Sequence, residues 1–294
     1  MTKEIVVASG KGGTGKTFIA SNLAYYIHHN VSSNVLCVDA DVEAPDLIIA
    51  LGGIKSIELK NPFKGAKVPI VNHSLCNLCG KCLEVCRYNA LKIENDRIVV
   101  DYEKCEGFGA CAIFCPNKAI SLQEKEIGDI IIAKSKEDII VITGDLYVGY
   151  GNSGRLVYEI KRIAREYSLK QAYEYIIVDA AAGIGCPIIS SIVDADLLII
   201  VIEPTLQSMK GAKRLRTIAK SLNLDYVAII NKYDLNYDFA KEIEKEFHVI
   251  GKIPYDENVI IAYTSMCPIL KLNPNSKASK SLLSTFKELE KVIS

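Results

Sequence analysis

The chain has 294 residues, 49% of them hydrophobic, and its 35 basic and 35 acidic side chains cancel to a formal net charge of zero. A chain of this length and apolar content is not disordered; it holds one large α/β domain with a small insert, or two modest domains. The charge balance supplies no electrostatic grip on nucleic acid, and the longest apolar stretches, such as Leu197–Ile202, are too short to cross a bilayer. Neither nucleic acid nor a membrane is therefore expected as a partner. Ten cysteines with no secretory pattern ahead of the first apolar run fit metal ligation in a cytoplasmic protein better than disulfides.

Residues 5–8 predict a strand, and residues 16–29 predict a helix. Between them lies Gly10-Lys11-Gly12-Gly13-Thr14-Gly15-Lys16-Thr17, a Gly-x-x-x-x-Gly-Lys-Thr loop in the strand-to-helix setting of a phosphate-binding loop. Glycines there let backbone N–H groups close around phosphates, and the helix N-terminus adds a favourable dipole. Lys16 is placed to reach the β- and γ-phosphates, and the Thr17 hydroxyl to ligate Mg²⁺. A second strand over residues 35–39 ends on Asp39-Ala40-Asp41.

From about residue 59 to 124 the alternation of strands and helices gives way to two cysteine runs, so the expected division is 1–58, 59–124 and 125–294. The first run is Cys76-x-x-Cys79-x-x-Cys82-x-x-x-Cys86. The second, Cys105-x-x-Phe108-x-x-Cys111-x-x-x-Cys115-Pro116, has phenylalanine where the second thiolate belongs. In bacterial ferredoxin spacing three cysteines of a run wrap one cube and the fourth reaches across to the other. Cys76, Cys79, Cys82 and Cys115 then hold a 4Fe–4S cluster, while Cys86, Cys105 and Cys111 form an incomplete second set. That second set admits a 3Fe–4S cluster, a 4Fe–4S cluster with a fourth ligand from water, Glu106 or a substrate, or an empty site filled by Phe108. Two apolar pairs around Glu94-Asn95-Asp96 predict a small hairpin between the runs. So short a segment buries little apolar area, and metal ligation has to supply much of its folding energy.

Beyond the insert, strands are predicted at 175–179, 196–203, 226–231 and 249–253, and helices at 154–167, 209–221, 237–247 and 276–293. Their alternation predicts a doubly wound, mostly parallel α/β sheet. Tyr175-Ile-Ile-Val-Asp179 is an apolar strand ending in a carboxylate, and Asn231-Lys232-Tyr233-Asp234 follows another strand where such proteins read a base. Leu282, Leu283, Phe286, Leu289 and Val292 form an apolar stripe expected to dock on the core. Cys37 is expected as a buried small hydrophobe, and no ligand role is assigned to Cys186 or Cys267.

Taken together, these motifs resemble the ferredoxin-containing MinD/ParA-type (CobQ/CobB/MinD/ParA) P-loop ATPases, related to the nitrogenase iron protein and the Mrp-type group. The resemblance rests also on Asp41-Val-Glu-Ala-Pro-Asp46, Gly183-Ile-Gly-Cys-Pro187 and Glu203-Pro-Thr205. It implies a P-loop NTPase fold with a deviant Walker A loop and an inserted bacterial-ferredoxin-like α+β iron–sulfur domain. It further implies a homodimer in which Lys11 reaches the nucleotide of the facing subunit, as an arginine finger does. In that reading Asp41 orients the attacking water, Asp39 holds the Mg²⁺ shell, Asp179 stands near Mg²⁺ through water, and Asn231 contacts adenine. Asn-Lys-x-Asp is also the guanine pattern of GTPases, with Asp234 as the base contact, so GTP stays beside ATP. The implied activity is ATP hydrolysis by a switched dimer that controls electron transfer or metallocluster delivery to a redox or metalloprotein partner. The alternatives are a positioning ATPase with structural clusters and a cluster-assembly scaffold.

Overall fold

The computed structural model describes residues 2–293. Its strands are β1 (Lys3–Ser9), β2 (Val35–Ala40), β3 (Ile54–Val71), β4 (Leu91–Glu94), β5 (Arg97–Val100), β6 (Ile120–Ser135), β7 (Ile140–Leu146), β8 (Tyr175–Ala182), β9 (Leu197–Ile202), β10 (Tyr226–Asn231) and β11 (Val249–Ile253). All but β4 and β5 join one sheet in the order β11-β10-β9-β1-β8-β2-β7-β6-β3. The pairings from β11 through to β7 are parallel, which is the doubly wound architecture expected.

Parallel strands covered on both faces read as continuous apolar runs, because neither face meets water. β9 is Leu-Leu-Ile-Ile-Val-Ile, buried throughout, and β1 and β2 are nearly so. The helix Lys16–Asn30 and the helix Lys277–Ile293 pack on this core. Leu282, Phe286 and Leu289 of the latter are each at most 1% exposed and Leu283 is partly buried, so the predicted stripe is a docked helix face except at Val292, which is exposed. Cys37 is completely buried, as expected. Among the described residues no helix is long and apolar enough to cross a membrane.

The chain divides into two compact units. One takes the N-terminal segment to Lys60, then Ile130–Asp145, then the chain from Ser153 onward; the other takes Asn61–Asp129 and Leu146–Asn152. Within the smaller unit β4 and β5 form an antiparallel hairpin, with Leu91 opposite Val100. Its turn residues Asn95 and Asp96 both have positive φ, the conformation a tight two-residue hairpin needs. Two one-turn helices, Lys81–Glu84 and Ala110–Ile113, each follow a left-handed glycine, Gly80 and Gly109. The buried cluster around the cysteines is made of Leu91, Ile98, Ile120 and two cysteines, Cys82 and Cys111. Thiols thus occupy positions that a larger domain gives to aliphatic side chains.

Candidate functional site

The phosphate loop leaves β1 at Ser9 and enters the helix at Lys16, with Gly13 and Gly15 at φ 77° and 92°. Two contacts fix its path. At its start the Gly10 backbone lies against Gly211 of the helix Leu206–Ser221, so close that a Cβ on Gly10 would stand 2.2 Å from the Gly211 Cα. At its end the Asn231 amide donates to the Thr14 carbonyl at 2.8 Å, and a Cβ on Gly15 would meet that amide at 2.3 Å. The loop opens on a cleft of about 600 Å³. Gly12, Gly13, Gly15, Lys16, Thr17 and Asp41 line its phosphate end; Phe18, Pro254, Tyr255 and Val259 line it further out.

β2 and β8 are neighbours in a register that sets Asp39 opposite Asp179. Asp39 accepts the N–H of Leu47 at 2.9 Å and that of Asp41 at 3.2 Å. Asp179 is fully buried, and neither of its oxygens has a hydrogen-bond partner. Burial pushes its carboxyl up from 3.8 to about 7; the Lys16 ammonium and the Thr17 hydroxyl oppose the rise. Burial and then the Asp179 charge raise Asp39 as well. Two buried carboxylates beside a hydroxyl, one of them without any donor, form a site that a divalent cation completes. The residues present therefore fit Mg²⁺. Asp41 is half-buried; burial raises its carboxyl and Lys16 opposes this. It also lines a second cavity of about 250 Å³ with Val42, Glu43, Ala182 and Pro187.

The Lys11 ammonium lies 3.6 Å from Glu203, a buried carboxylate that also takes Lys232 at 2.6 Å. Lys232 in turn donates to the Gly13 carbonyl at 3.2 Å. Neither Glu203, Lys232 nor Gly211 was assigned a role from sequence. The signals were the turn Glu203-Pro204-Thr205, whose threonine caps the next helix by accepting the Ser208 N–H, and, for Lys232, its place inside the Asn231–Asp234 motif; Gly211 had none. The expected base readers have other immediate tasks. Asn231 spends its amide on Thr14 and its oxygen on the Lys232 N–H, while Asp234 accepts the Tyr255 N–H at 2.7 Å. Asn231 still lines the cleft; Asp234 is not among its lining residues.

In the smaller unit the seven cysteines sort into two sets. Cys76, Cys79, Cys82 and Cys115 line one cavity, and Cys86, Cys105 and Cys111 line another. Each run sends its last cysteine to the other run's cavity, in the crossed order expected. The two crossing sulfurs each accept a backbone N–H four residues on: Ala90 to Cys86 at 3.4 Å, Ala119 to Cys115 at 3.3 Å. Burial raises the Cys82 and Cys111 thiols, and cysteines of their own set, Cys76 and Cys115 or Cys105 and Cys86, add to the rise. A metal reverses that preference, because a coordinated thiol is deprotonated. Among the described residues, no three His, Cys, Asp or Glu side chains form a group that would hold a single metal ion. The fit here is of spaced thiols around a cavity, which suits a cluster and not one ion. Phe108 lines the three-cysteine cavity.

Comparison with known proteins places these features in context. Residues 5–269 match the CobQ/CobB/MinD/ParA nucleotide binding domain. An uncharacterised protein of Methanocaldococcus jannaschii is 31% identical over 290 residues, 99% of this chain and 97% of the relative. Over 60 residues, 20% of this chain and 23% of the other, it is 38% identical to a subunit of the ion-translocating oxidoreductase complex of Methanosarcina acetivorans. The fold is similar to that of the septum site-determining protein MinD complexed with Mg-ADP from Pyrococcus horikoshii. The TM-score is 0.61 at 18% identity, covering 100% of this chain and 98% of that one.

Proposed function

This chain belongs to the CobQ/CobB/MinD/ParA nucleotide-binding family and is an ATP-binding ATPase of the MinD/ParA type, and on that footing we propose that it is an iron–sulfur ATPase. In this reading a nucleotide-switched homodimer controls electron transfer or cluster delivery to a redox partner protein. The observation that carries the iron–sulfur half is the sorting of seven cysteines into a set of four and a set of three, each around its own cavity. Chance clustering of thiols gives no reason for the crossed order.

At the nucleotide, the loop N–H groups and Lys16 bind the phosphates, and Thr17, Asp39 and Asp179 hold Mg²⁺. Held there, Mg²⁺ would supply positive charge to the phosphates. Asp41, half-buried beside Lys16, accepts a hydrogen bond from the attacking water and turns its lone pair toward the γ-phosphate. Lys11 supplies a cation to the nucleotide of the facing subunit, and Glu203 is the group from which it must first part. The cleft's outer wall of Phe18, Pro254 and Tyr255 takes the base, with adenine favoured because Asp234 is engaged by the Tyr255 backbone.

Anaerobic purification of the full chain, with iron and sulfide analysis and EPR, tests this. The expected result is cluster iron whose signal changes on adding Mg·ATP. Cluster iron with an unchanged signal, while nucleotide is bound by calorimetry, leaves the second reading: a MinD-like positioning ATPase whose clusters only hold the insert together. The likeness to MinD over the whole chain favours that alternative.

A further inference from the structure

The two cysteine cavities differ at one position in a way that bears on what the second can bind. Cys79 lines the first cavity; three residues after the run's opening cysteine, Phe108 occupies the corresponding place in the second. Had the second site been given up and plugged, the phenyl ring would fill it, since burying such a side chain stabilises by about 1.5–3 kcal/mol. Instead Phe108 is 73% exposed, its ring stacked on Tyr88 at 5.5 Å and 12°. The three thiols are left facing a cavity of about 110 Å³, against about 10 Å³ inside the four-cysteine set. Arg87 lies on the rim of the same cavity, exposed and without an ion-pair partner among the described residues.

From this we infer that Cys86, Cys105 and Cys111 hold a 4Fe–4S cluster with one position left open on the Phe108 side. That position binds a small anionic soft donor, of the class of cyanide or a thiolate, beside Arg87. The inference rests on the cluster reading above and deepens it by giving the second cluster a ligand-binding role distinct from that of the first. Phe108 is a lid residue here, not a ligand, and with Tyr88 it shields the open position from bulk water.

The test uses the full chain, reconstituted anaerobically, as wild type and as Phe108→Cys, Phe108→Ala and Glu106→Gln. Each is assayed for iron and sulfide and then titrated with cyanide while EPR of the reduced protein is followed. Wild type should carry two cubes' worth of iron, with cyanide shifting the signal of one cluster only. Phe108→Cys, which adds the missing thiolate at an exposed position, should keep both clusters and lose the shift. Phe108→Ala should keep the shift, because it removes the lid and not a ligand. A three-iron signature at the second site overturns the inference. So does a cyanide response gained only in Glu106→Gln, which makes Glu106 the resident fourth ligand. One loaded cluster indifferent to cyanide overturns it while sparing the proposed function; protein without iron overturns both.

Discussion

Replacing Asp179 by asparagine separates the electrostatic account of the cation site from a merely structural one. The Asp179 carboxylate is buried with no hydrogen-bond partner, and burial lifts it from 3.8 to about 7. A rise of that size corresponds to about 4 kcal/mol. An acid whose folded value lies above its unfolded value stabilises the fold only while protonated. In the Mg²⁺-free protein the contribution of this one group should therefore be most favourable below about pH 4, fall as pH climbs to about 7, and level off above. Asparagine carries no such penalty. Asp179→Asn should match wild type near pH 4 and exceed it at pH 8, by up to about 4 kcal/mol or on the order of 10 °C in Tm. Thermal unfolding followed by circular dichroism from pH 4 to 8, without Mg²⁺, reads this directly. Adding Mg·ADP should reverse the order, since only the carboxylate pairs with the cation. A constant offset between the two proteins at every pH, or equal stabilisation of both by Mg·ADP, would refute the reasoning.

Three further outcomes are expected. Glu203→Gln removes the charge that holds Lys11 at 3.6 Å, so sedimentation with a non-hydrolysable ATP analogue should show dimers at several-fold lower protein concentration. A Lys11→Ala background should cancel that gain. Gly211→Ala places a Cβ 2.6 Å from the Gly10 Cα and shifts the loop; stability should fall by about 1–3 kcal/mol, and calorimetry should show nucleotide affinity falling with it. Glu4→Ala leaves Lys161, 3% exposed and paired at 2.7 Å, without its counter-charge. Urea unfolding should show a loss of about 3–5 kcal/mol. Burial already lowers the Lys161 value, so the loss should shrink at high pH as the amine gives up its proton.

What was legible in the sequence was whatever depends on neighbours along the chain. The phosphate loop, the strands that carry Asp39 and Asp179, the hairpin at Asn95-Asp96 and the docked C-terminal helix each rest on local spacing or periodicity and are found in the structure, although β8 runs three residues past Asp179 to Ala182. Less legible were β3 and β6, whose first halves carry exposed charges, with two prolines, Pro62 and Pro69, along β3. Proline is tolerated there because β3 is the last strand of the sheet and has an unpaired edge. β7, by contrast, is a plain apolar strand that no motif marked.

The parts of the site that escaped sequence reading are those made by pairs distant in the chain. Gly211 matters only because Gly10 lies against it, 201 positions earlier, and no local pattern distinguishes it from any helical glycine. Glu203 reads as a strand-end carboxylate until both Lys11 and Lys232 are seen to converge on it. Asn231 belongs to the same class. Its position after β10 suits a base reader, yet its amide is committed to the Thr14 carbonyl and its side chain fills the space a Cβ on Gly15 would need. A residue that braces the loop in this way affects phosphate binding whatever it does for the base. Substituting Asn231 should therefore weaken inorganic triphosphate as well as ATP, whereas the loss of a pure base contact would weaken ATP alone.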